Sequence, residues 1–458
     1  MIDKHIFRAY DIRGTYPDQL NASTAELIGK GFGTFLRRNL SLKDPKVAVG
    51  LDARTHGVEL HDAFIQGLRS AGVNVTDCGL SPSPYLYFCN TEGKFDGGCN
   101  ITASHNPKQY NGFKLITQRG HALFGVDLQT VYQIIEKGDF AVGEGALSTA
   151  DFYESYLKRL RSLFTPKRPL KVVVDTANGV AGRLYPKVIA ALGHEVVELY
   201  VELDGTFPNH EPDPIVESNL AELKKKVLET HADIGLAFDG DGDRVSLVSE
   251  AGEFINSDKT LMLLAKDALS RNPGRSVVFT VSNSQSLFDL VKQLGGEPVM
   301  CKVGHSYVES AMNEYGAILG GEQSGHFFLP EGYYPYDDAL VTACRALKIV
   351  GDSGEKTSAL FHEFPRTFQE SEMRPYCADN AKFAVLERIQ TYFKDMYPNT
   401  MMDGIRLDFG KGAWAGIRVS NTSPCMSITM EAQSESHLRE IKEIVLRHLK
   451  SYAEIRWE

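Results

Sequence analysis

Three aspartates at alternate positions, in the run Ile234-Gly-Leu-Ala-Phe-Asp239-Gly-Asp241-Gly-Asp243-Arg244-Val-Ser-Leu-Val248, carry the sharpest chemical signal in this chain. Carboxylates so close repel one another unless a hard divalent cation holds them, and oxygen-rich shells suit Mg²⁺ or Ca²⁺. An EF-hand loop is excluded: Glu250 falls at its twelfth position, but the sixth is Arg244 rather than Gly, and both flanks read as strands. A merely solvated acidic turn has no need of three carboxylates followed at once by Arg. A second stretch, Ile101-Thr-Ala-Ser104-His105-Asn-Pro-Lys-Gln-Tyr-Asn-Gly-Phe-Lys114, gathers a hydroxyl nucleophile, an imidazole and an ammonium. Ser104 follows the strand-like run Gly98–Thr102 and precedes Asn106-Pro107, where a strand breaks into a turn and a side chain is presented outward. Capping a turn is the plainer role for an isolated Ser. Its neighbours make Ser104 a candidate nucleophile.

Three further stretches offer groups that grip a polar ligand. In Leu319-Gly-Gly321-Glu322-Gln-Ser324-Gly-His326 the glycines admit close backbone approach, while Glu322 and Ser324 bind hydroxyls. Just upstream, Lys302-Val-Gly304-His305 sets a cation and an imidazole after a strand; a histidine placed so also serves as a helix-cap or packing residue. Arg418-Val-Ser420-Asn421-Thr422-Ser-Pro424 supplies a guanidinium with hydroxyl and amide donors, which is either a phosphate cradle or an ordinary turn between strands.

These groups need a scaffold, and the hydrophobic pattern supplies one. A strand, helix, strand unit reads at Val47–Asp52, the helical pattern His61, Phe64, Leu68, and Gly72–Thr76. It recurs at Lys171–Asp175, a helix through Leu192 and Gly193–Leu199, and again at Ser276–Val281, a helix from Ser286 to Leu294 and Gly295–Val299. Runs such as Val-Val-Val lack period-2 alternation, so the strands are expected to be buried. The fold expected is α/β: three tandem α/β domains of similar topology, with mixed or parallel sheets, and a C-terminal α+β domain. The last domain should hold a helix from Ala381 to about Phe393, strands at Gly404–Asp408, Trp414–Val419 and Met426–Glu431, and a closing helix Ser434–Leu449. Polar and glycine-rich stretches set the domains at 1–148, 149–252, 253–365 and 366–458. Ser23-Thr-Ala-Glu26 reads as a capping box opening a helix through Arg38, whose Gly29, Gly31 and Gly33 suit close helix packing rather than a nucleotide loop.

Composition excludes several function classes. With 458 residues, 43% apolar and 24% charged, the chain has the make-up of a soluble multidomain protein, and no apolar run reaches the roughly 18 to 20 residues of a membrane span. A net charge of −10 with no Lys/Arg block argues against nucleic acid as a partner, so an anionic ligand must be held by local positive charge. Seven cysteines without a CxxC pair, and no signal-like opening, point to the cytoplasm.

Taken in order, Thr102-Ala-Ser-His-Asn-Pro107, Asp239-Gly-Asp-Gly-Asp-Arg244, Gly321-Glu-Gln-Ser-Gly-His326 and Arg418-Val-Ser-Asn-Thr422 resemble the α-D-phosphohexomutases, and within them the phosphomannomutase/phosphoglucomutase members. The resemblance implies a phosphoserine loop, a metal loop, a sugar-binding loop and a phosphate-binding loop, one from each domain, around a central cleft. Phe7-Arg-Ala-Tyr10-Asp-Ile-Arg13-Gly is similar to the family's opening, which implies that Tyr10 and Arg13 face that cleft. It implies interconversion of hexose 1-phosphate and hexose 6-phosphate through phosphate on Ser104, with hexose 1,6-bisphosphate as intermediate and activator. Mg²⁺ would be held by a Ser104 phosphate oxygen with Asp239, Asp241 and Asp243. Arg244 would add a cation, and His105, Lys114 and His305 would be candidates for proton transfer or charge stabilisation. Lys302, Gly304, His305, Glu322, Ser324, His326, Arg418, Ser420, Asn421 and Thr422 would meet a small-molecule sugar phosphate, with no nucleic acid or membrane partner.

Gln323 stands where the glucose and mannose members commonly have Met, which is similar to the phosphoglucosamine mutases. Ser420-Asn-Thr-Ser-Pro424 and Asn111-Gly-Phe-Lys114 resemble the mannose/glucose members instead, so those sugars lead and glucosamine is the alternative. A sugar-phosphate sensor and a Ser-dependent phosphatase are the readings from other classes.

Overall fold

Apolar runs without alternation become the central strands of layered sheets, because only a strand covered on both faces buries every side chain. The structure, a computed structural model, describes residues 2–420 and 423–457. It separates into two compact units, one made of the chain up to Thr260 with Ser324–Phe361, the other of Leu261–Gln323 with His362 onward.

The first unit opens with a six-stranded mixed sheet in the order Ile12–Thr15, Tyr110–Thr117, Gly97–Ile101, Lys46–Leu51, Asn74–Leu80, Leu147–Thr149. Lys46–Leu51 lies parallel to both Asn74–Leu80 and Gly97–Ile101, and all its residues but Lys46 are buried. Tyr110–Thr117 returns antiparallel, pairing Lys114 with Asn100 and Phe113 with Ile101. That return sets Lys114 beside the end of the strand that leads to Ser104.

Helices Ala22–Arg38 and Gly57–Ser70 pack backbone to backbone. A Cβ on Gly29 would lie 2.3 Å from the Phe64 carbonyl oxygen, and one on Gly67 would lie 2.1 Å from that of Glu26, so the close packing read from the glycines is present. The expected capping box at Ser23 is displaced. Asn21, in extended conformation, accepts from the Thr24 N–H at 3.1 Å, so an equally good cap two residues earlier starts the helix first.

A second sheet in this unit runs Phe254–Ile255, Val245–Ser249, Ile234–Phe238, Lys171–Asp175, Glu195–Leu199. Ile234–Phe238 and Val245–Ser249 are antiparallel and pair Phe238 with Val245, so Asp239–Arg244 is the turn between two fully buried strands. Helix Ala339–Ser353 packs on Tyr153–Phe164. Asp338 caps it, accepting from the Val341 N–H at 3.0 Å, and burial pushes this carboxyl up to about 6.

In the second unit, parallel strands Glu297–Cys301, Ser276–Thr280 and Leu319–Gly321 lie side by side. The C-terminal domain is an antiparallel sheet ordered Phe368–Met373, Met426–Ala432, Ala413–Val419, Ile405–Gly410, Asn399–Thr400, covered by helices Lys382–Phe393 and Glu435–Leu449. The elements expected there fall within a residue or two; the short strand Asn399–Thr400 was not foreseen. Arg406, its guanidinium 3.7 Å from the Trp414 ring centre, ties this domain to the turn after Ser276–Thr280 by donating to the carbonyls of Val281 and Asn283. Among the described residues no helix is long and apolar enough to cross a membrane.

His194 gives this fold an acid-sensitive point. Its Nδ1 accepts from the Leu170 N–H at 3.2 Å, and burial pushes the imidazole down to about 4. Between pH 6.5 and 4 the unfolded chain therefore binds the extra proton, and stability falls as pH falls, by roughly 2 to 3 kcal/mol in all. His194→Asn keeps an acceptor and removes the titration; urea unfolding across this window should give a visibly shallower pH dependence for the variant, and parallel curves would count against the assignment.

Candidate active site

Ser104 leaves strand Gly97–Ile101 in the left-handed region at φ 52, which a residue with a Cβ adopts only when its surroundings hold it there. Its N–H donates to Thr102 Oγ1 at 2.9 Å. The buried hydroxyl donates to Asp239 Oδ2 at 2.6 Å and lies 3.3 Å from His105 Nδ1. The nucleophile candidate and the first carboxylate of the acidic turn, 135 residues apart, are therefore in direct contact.

All three carboxylates of that turn are buried. Asp239 Oδ1 accepts from the N–H groups of Asp243 and Arg244 at 3.0 and 3.2 Å, and Tyr185 Oη braces the turn by donating to the Gly242 carbonyl at 2.6 Å. Lys114 Nζ donates to Asp241 Oδ2 at 2.7 Å and to Asp243 Oδ2, and Ser83 Oγ also donates to Asp241 Oδ2, at 2.6 Å. Asp241 Oδ1 and Asp243 Oδ1 are buried with no hydrogen-bond partner among the described residues. One oxygen from each of the three aspartates falls within 4.8 Å of the others. An all-oxygen anionic set with free lone pairs fits a hard divalent cation such as Mg²⁺.

Arg244 completes the cluster. Its Nε lies 4.0 Å from Asp239 Oδ2 and donates to His326 Nε2 at 3.0 Å, while His326 Nδ1 is 2.7 Å from Asp337 Oδ2. A carboxylate on one side and a guanidinium on the other make His326 the tautomer that carries its proton on Nδ1. Arg13 pairs with Asp11 at 2.5 Å and donates to Asn106 Oδ1 at 2.8 Å; Tyr10 is near enough to act electrostatically on both Arg13 and Arg244.

The electrostatics follow from burial and sign. For Lys114 burial opposes the charge, but Asp241 and Asp243 outweigh it and hold the ammonium well above its usual range. Burial, then Asp243 and Asp241, push the Asp239 carboxyl well up. Asp243 is also raised by burial, but Lys114 overcomes this and holds it well down. Burial, helped by Arg244 and Arg13, pushes His105 well below its ordinary value, so this imidazole is neutral at pH 7.

The remaining expected residues fall in the second unit, apart from Ser324, which belongs with the first. Gly304 adopts φ 134, open to glycine alone, and its N–H donates to the buried Glu322 at 2.8 Å, so His305 becomes the first residue of helix His305–Tyr315. Lys302 is exposed, with Nζ 5.9 Å from the Tyr307 ring centre. Arg418, at the end of strand Ala413–Val419, shares Glu372 with Arg374, at 3.4 and 3.2 Å. Ser420 Oγ accepts from the Ser423 N–H at 3.1 Å and from Arg374 Nη2 at 3.3 Å. Asn421 and Thr422 lie outside the described residues.

Several contributors were not read from the sequence. Ser83, Asp337 and Arg54 reach the first cluster; Asp403, whose carboxylate accepts from the Val303 N–H at 3.0 Å, and Arg374 and Lys382 reach the second. Apart from Asp337, which precedes Asp338, none sits in a run of chemically alike residues. Only Arg54, two residues past the strand-ending Asp52, had a position that could have drawn notice.

Comparison with known proteins finds similarity over nearly the whole chain. Family models described as phosphoglucomutase/phosphomannomutase alpha/beta/alpha domains I, II and III match residues 4–142, 151–252 and 256–368. A phosphomannomutase/phosphoglucomutase from Pseudomonas aeruginosa is 42% identical over 97% of this chain and 96% of its own. A phosphoglucomutase from Neisseria meningitidis is 34% identical over 100% and 99%. The crystal structure of a phosphoglucomutase/phosphomannomutase family protein from Burkholderia thailandensis superposes with a TM-score of 0.92 at 38% identity, covering 98% of both chains.

The role of Lys114 as counter-charge is open to a test independent of turnover. Lys114→Met takes from the buried carboxylates of Asp241 and Asp243 the ammonium they share and should lower the unfolding free energy by about 3 to 5 kcal/mol. Added Mg²⁺ should then raise the variant's melting temperature more than the wild type's. Equal Mg²⁺ shifts in the two proteins would contradict this assignment.

Proposed function

We propose a phosphoryl exchange centred on Ser104, starting from the premise that this chain belongs to the α-D-phosphohexomutase family and is a hexose phosphate mutase of the phosphomannomutase/phosphoglucomutase kind. The observation that carries the assignment of Ser104 is its 2.6 Å contact with Asp239 in a buried all-oxygen cluster. In the working form Ser104 bears phosphate. Asp239, Asp241, Asp243 and a phosphoserine oxygen would hold Mg²⁺, which when bound supplies positive charge against the phosphoryl oxygens.

This chain's own groups do the rest. Lys114 and Arg244 offset the charge that the phosphate brings. His105 has its Nδ1 3.3 Å from Ser104 Oγ, whose proton goes to Asp239 Oδ2 in this structure, and with Lys114 and His305 it is a candidate for moving the serine proton as phosphate arrives and leaves. In transfer to a hexose monophosphate the sugar hydroxyl oxygen bonds to phosphorus and gives up its proton while the bond from phosphorus to Ser104 Oγ breaks and that oxygen regains one. The 1,6-bisphosphate so formed reorients and gives its other phosphate back to Ser104 by the reverse exchange. While one phosphate reacts, the other needs a separate grip, and Arg418, Ser420, Asn421 and Thr422 are the donors proposed for it, with Arg374 beside them. Glu322, Ser324, His326, Lys302, Gly304 and His305 are proposed to meet the sugar, and Tyr10 and Arg13 the reacting end.

Mannose and glucose phosphates are the proposed substrates; relatives 34 to 42% identical carry those names, and the glucosamine alternative is not favoured. The segments 1–148, 149–252, 253–365 and 366–458 are the proposed domains for the serine, the metal, the sugar and the far phosphate. Seven unpaired cysteines suit a reducing cytoplasm.

Incubation with glucose 1,6-bisphosphate and Mg²⁺ should add one phosphate, mapped to Ser104, and Ser104→Ala should remove both the label and the mutase activity. Turnover at the normal rate with Ser104 never labelled would end this reading. Arg418→Ala should lower kcat/KM by roughly 10²-fold, the scale of losing a charge-assisted contact worth ~3 kcal/mol, while Ser104 still accepts phosphate from the bisphosphate.

A further inference from the structure

We infer that Arg54, which touches no reacting atom, is a positioning residue that sets the reactive geometry of Ser104; the inference rests on the reading of Ser104 given above. Arg54 follows strand Lys46–Leu51 by three residues, and its side chain is fully buried. Its guanidinium has five N–H donors in a planar fork, and all five are spent. Nε donates to Asp52 Oδ2 at 3.2 Å. Nη1 donates to the carbonyls of Pro107 and Tyr110 at 2.9 and 3.0 Å, and Nη2 to those of Ser104 and Asn106 at 2.9 and 2.6 Å. Four carbonyls of one loop thus converge on one cation.

The counter-ion closes the arrangement on the other side. Asp52 Oδ2 also accepts from Thr102 Oγ1 at 2.7 Å, and Thr102 Oγ1 accepts from the Ser104 N–H at 2.9 Å. Ser104 is therefore gripped at both ends of its own backbone: its carbonyl by Arg54, its N–H by Thr102, and the two grips meet at Asp52. That is the over-determination a non-glycine residue needs to stay at φ 52. The placement also reaches the acidic turn. A Cβ added at Gly240 would lie 2.5 Å from the Ser104 carbonyl oxygen, so the carbonyl that Arg54 holds is packed directly on the turn bearing Asp239 and Asp241. Arg54 fixes where Ser104 Oγ stands relative to those carboxylates.

A buried guanidinium could simply stabilise the domain, so the test separates positioning from folding. Three quantities are read for the full-length wild type, Arg54→Lys, Arg54→Ala and Thr102→Val: phosphate uptake on Ser104 from glucose 1,6-bisphosphate in a single turnover, by intact mass; kcat and KM; and the melting temperature. Lysine keeps the charge but has three donors at a point, so Arg54→Lys should lower both kcat and phosphate uptake by about 10²-fold at a temperature where the protein stays folded, the scale of a displacement of about 1 Å at a reacting group. KM should change by less than about threefold, since kcat alone reports what is made only at the transition state. In Arg54→Ala, millimolar methylguanidinium should restore uptake and ammonium should not. Thr102→Val, which leaves the cation in place, should move the same quantities in the same direction, and it decides the matter if the Arg54 variants do not fold. Wild-type uptake with equally fast uptake per folded molecule in Arg54→Lys, or in Thr102→Val where that decides, would overturn the inference. Absence of uptake in the wild type would instead remove the reading of Ser104 on which it rests.

Discussion

Burying three carboxylates in one turn is the constraint from which the rest of this site follows. Each buried carboxylate loses several kcal/mol of hydration that only close opposite charge and hydrogen bonds offset. The cluster meets that demand with Lys114, Arg244, the hydroxyls of Ser83 and Ser104, and two backbone N–H groups at Asp239. With all three carboxylates ionised, two cations still leave one negative charge, and burial beside Asp243 and Asp241 accordingly pushes the Asp239 carboxyl well up. A divalent cation alone would turn the set positive by one, and a phosphate dianion arriving with it returns the balance to one negative charge. Metal and phosphate would therefore each be better tolerated in the presence of the other, which is the electrostatic condition the proposed phosphoserine would need.

Holding that balance requires functional loops whose backbones do not drift, and the chain uses one device in both units. A buried cation takes up the carbonyls of a loop, and a neighbouring carboxylate fixes the cation. Arg54 with Asp52 does so for the loop of Ser104; Lys382 does so for the loop of Ser420, donating to the carbonyls of Ser420 and Ser423 at 2.7 and 3.2 Å and pairing with Asp379 at 2.7 Å. The difference in residue type matters. A planar fork of five donors pins four carbonyls in fixed directions, whereas the ammonium gathers two.

What the sequence reveals depends on distance along the chain. Asp239 to Arg244 and Ser104 to Lys114 are legible because their spacing is local: the first is one turn, the second one strand-to-strand return. The strand, helix, strand units are legible for the same reason, since periodicity is a short-range property. Their order in the sheet is not, and with it go the contacts that topology alone creates. Ser83 meets Asp241 across 158 residues, Lys114 meets the same carboxylate across 127, Arg244 meets His326 across 82, and Asp403 meets the Val303 N–H across 100. No window of sequence contains both partners of any of these. Asn21 taking the cap expected at Ser23 is a smaller miss of another kind, two similar acceptors competing two residues apart.

The acidic turn and the arginines around Glu372 differ in sign, and the difference suits the tasks proposed for them. The first is rich in carboxylates and suits a metal with a phosphate that must react. Around Glu372 the balance is cationic, with Arg418 and Arg374 sharing its one carboxylate, which the two arginines keep ionised against its burial. For a phosphate that must be gripped during one half-reaction and released before the next, an internal carboxylate is an advantage. A phosphate bound there, as proposed, would take the place of Glu372 on the arginines and yield it again on leaving, one ion pair replacing another, so that no guanidinium would be stripped of a partner on release. A pocket of arginines without that carboxylate would bind the bisphosphate more tightly and let it turn more slowly. At the proposed site Glu372 would limit the grip, and a mutase that hands the same molecule back to itself needs the limit as much as the grip.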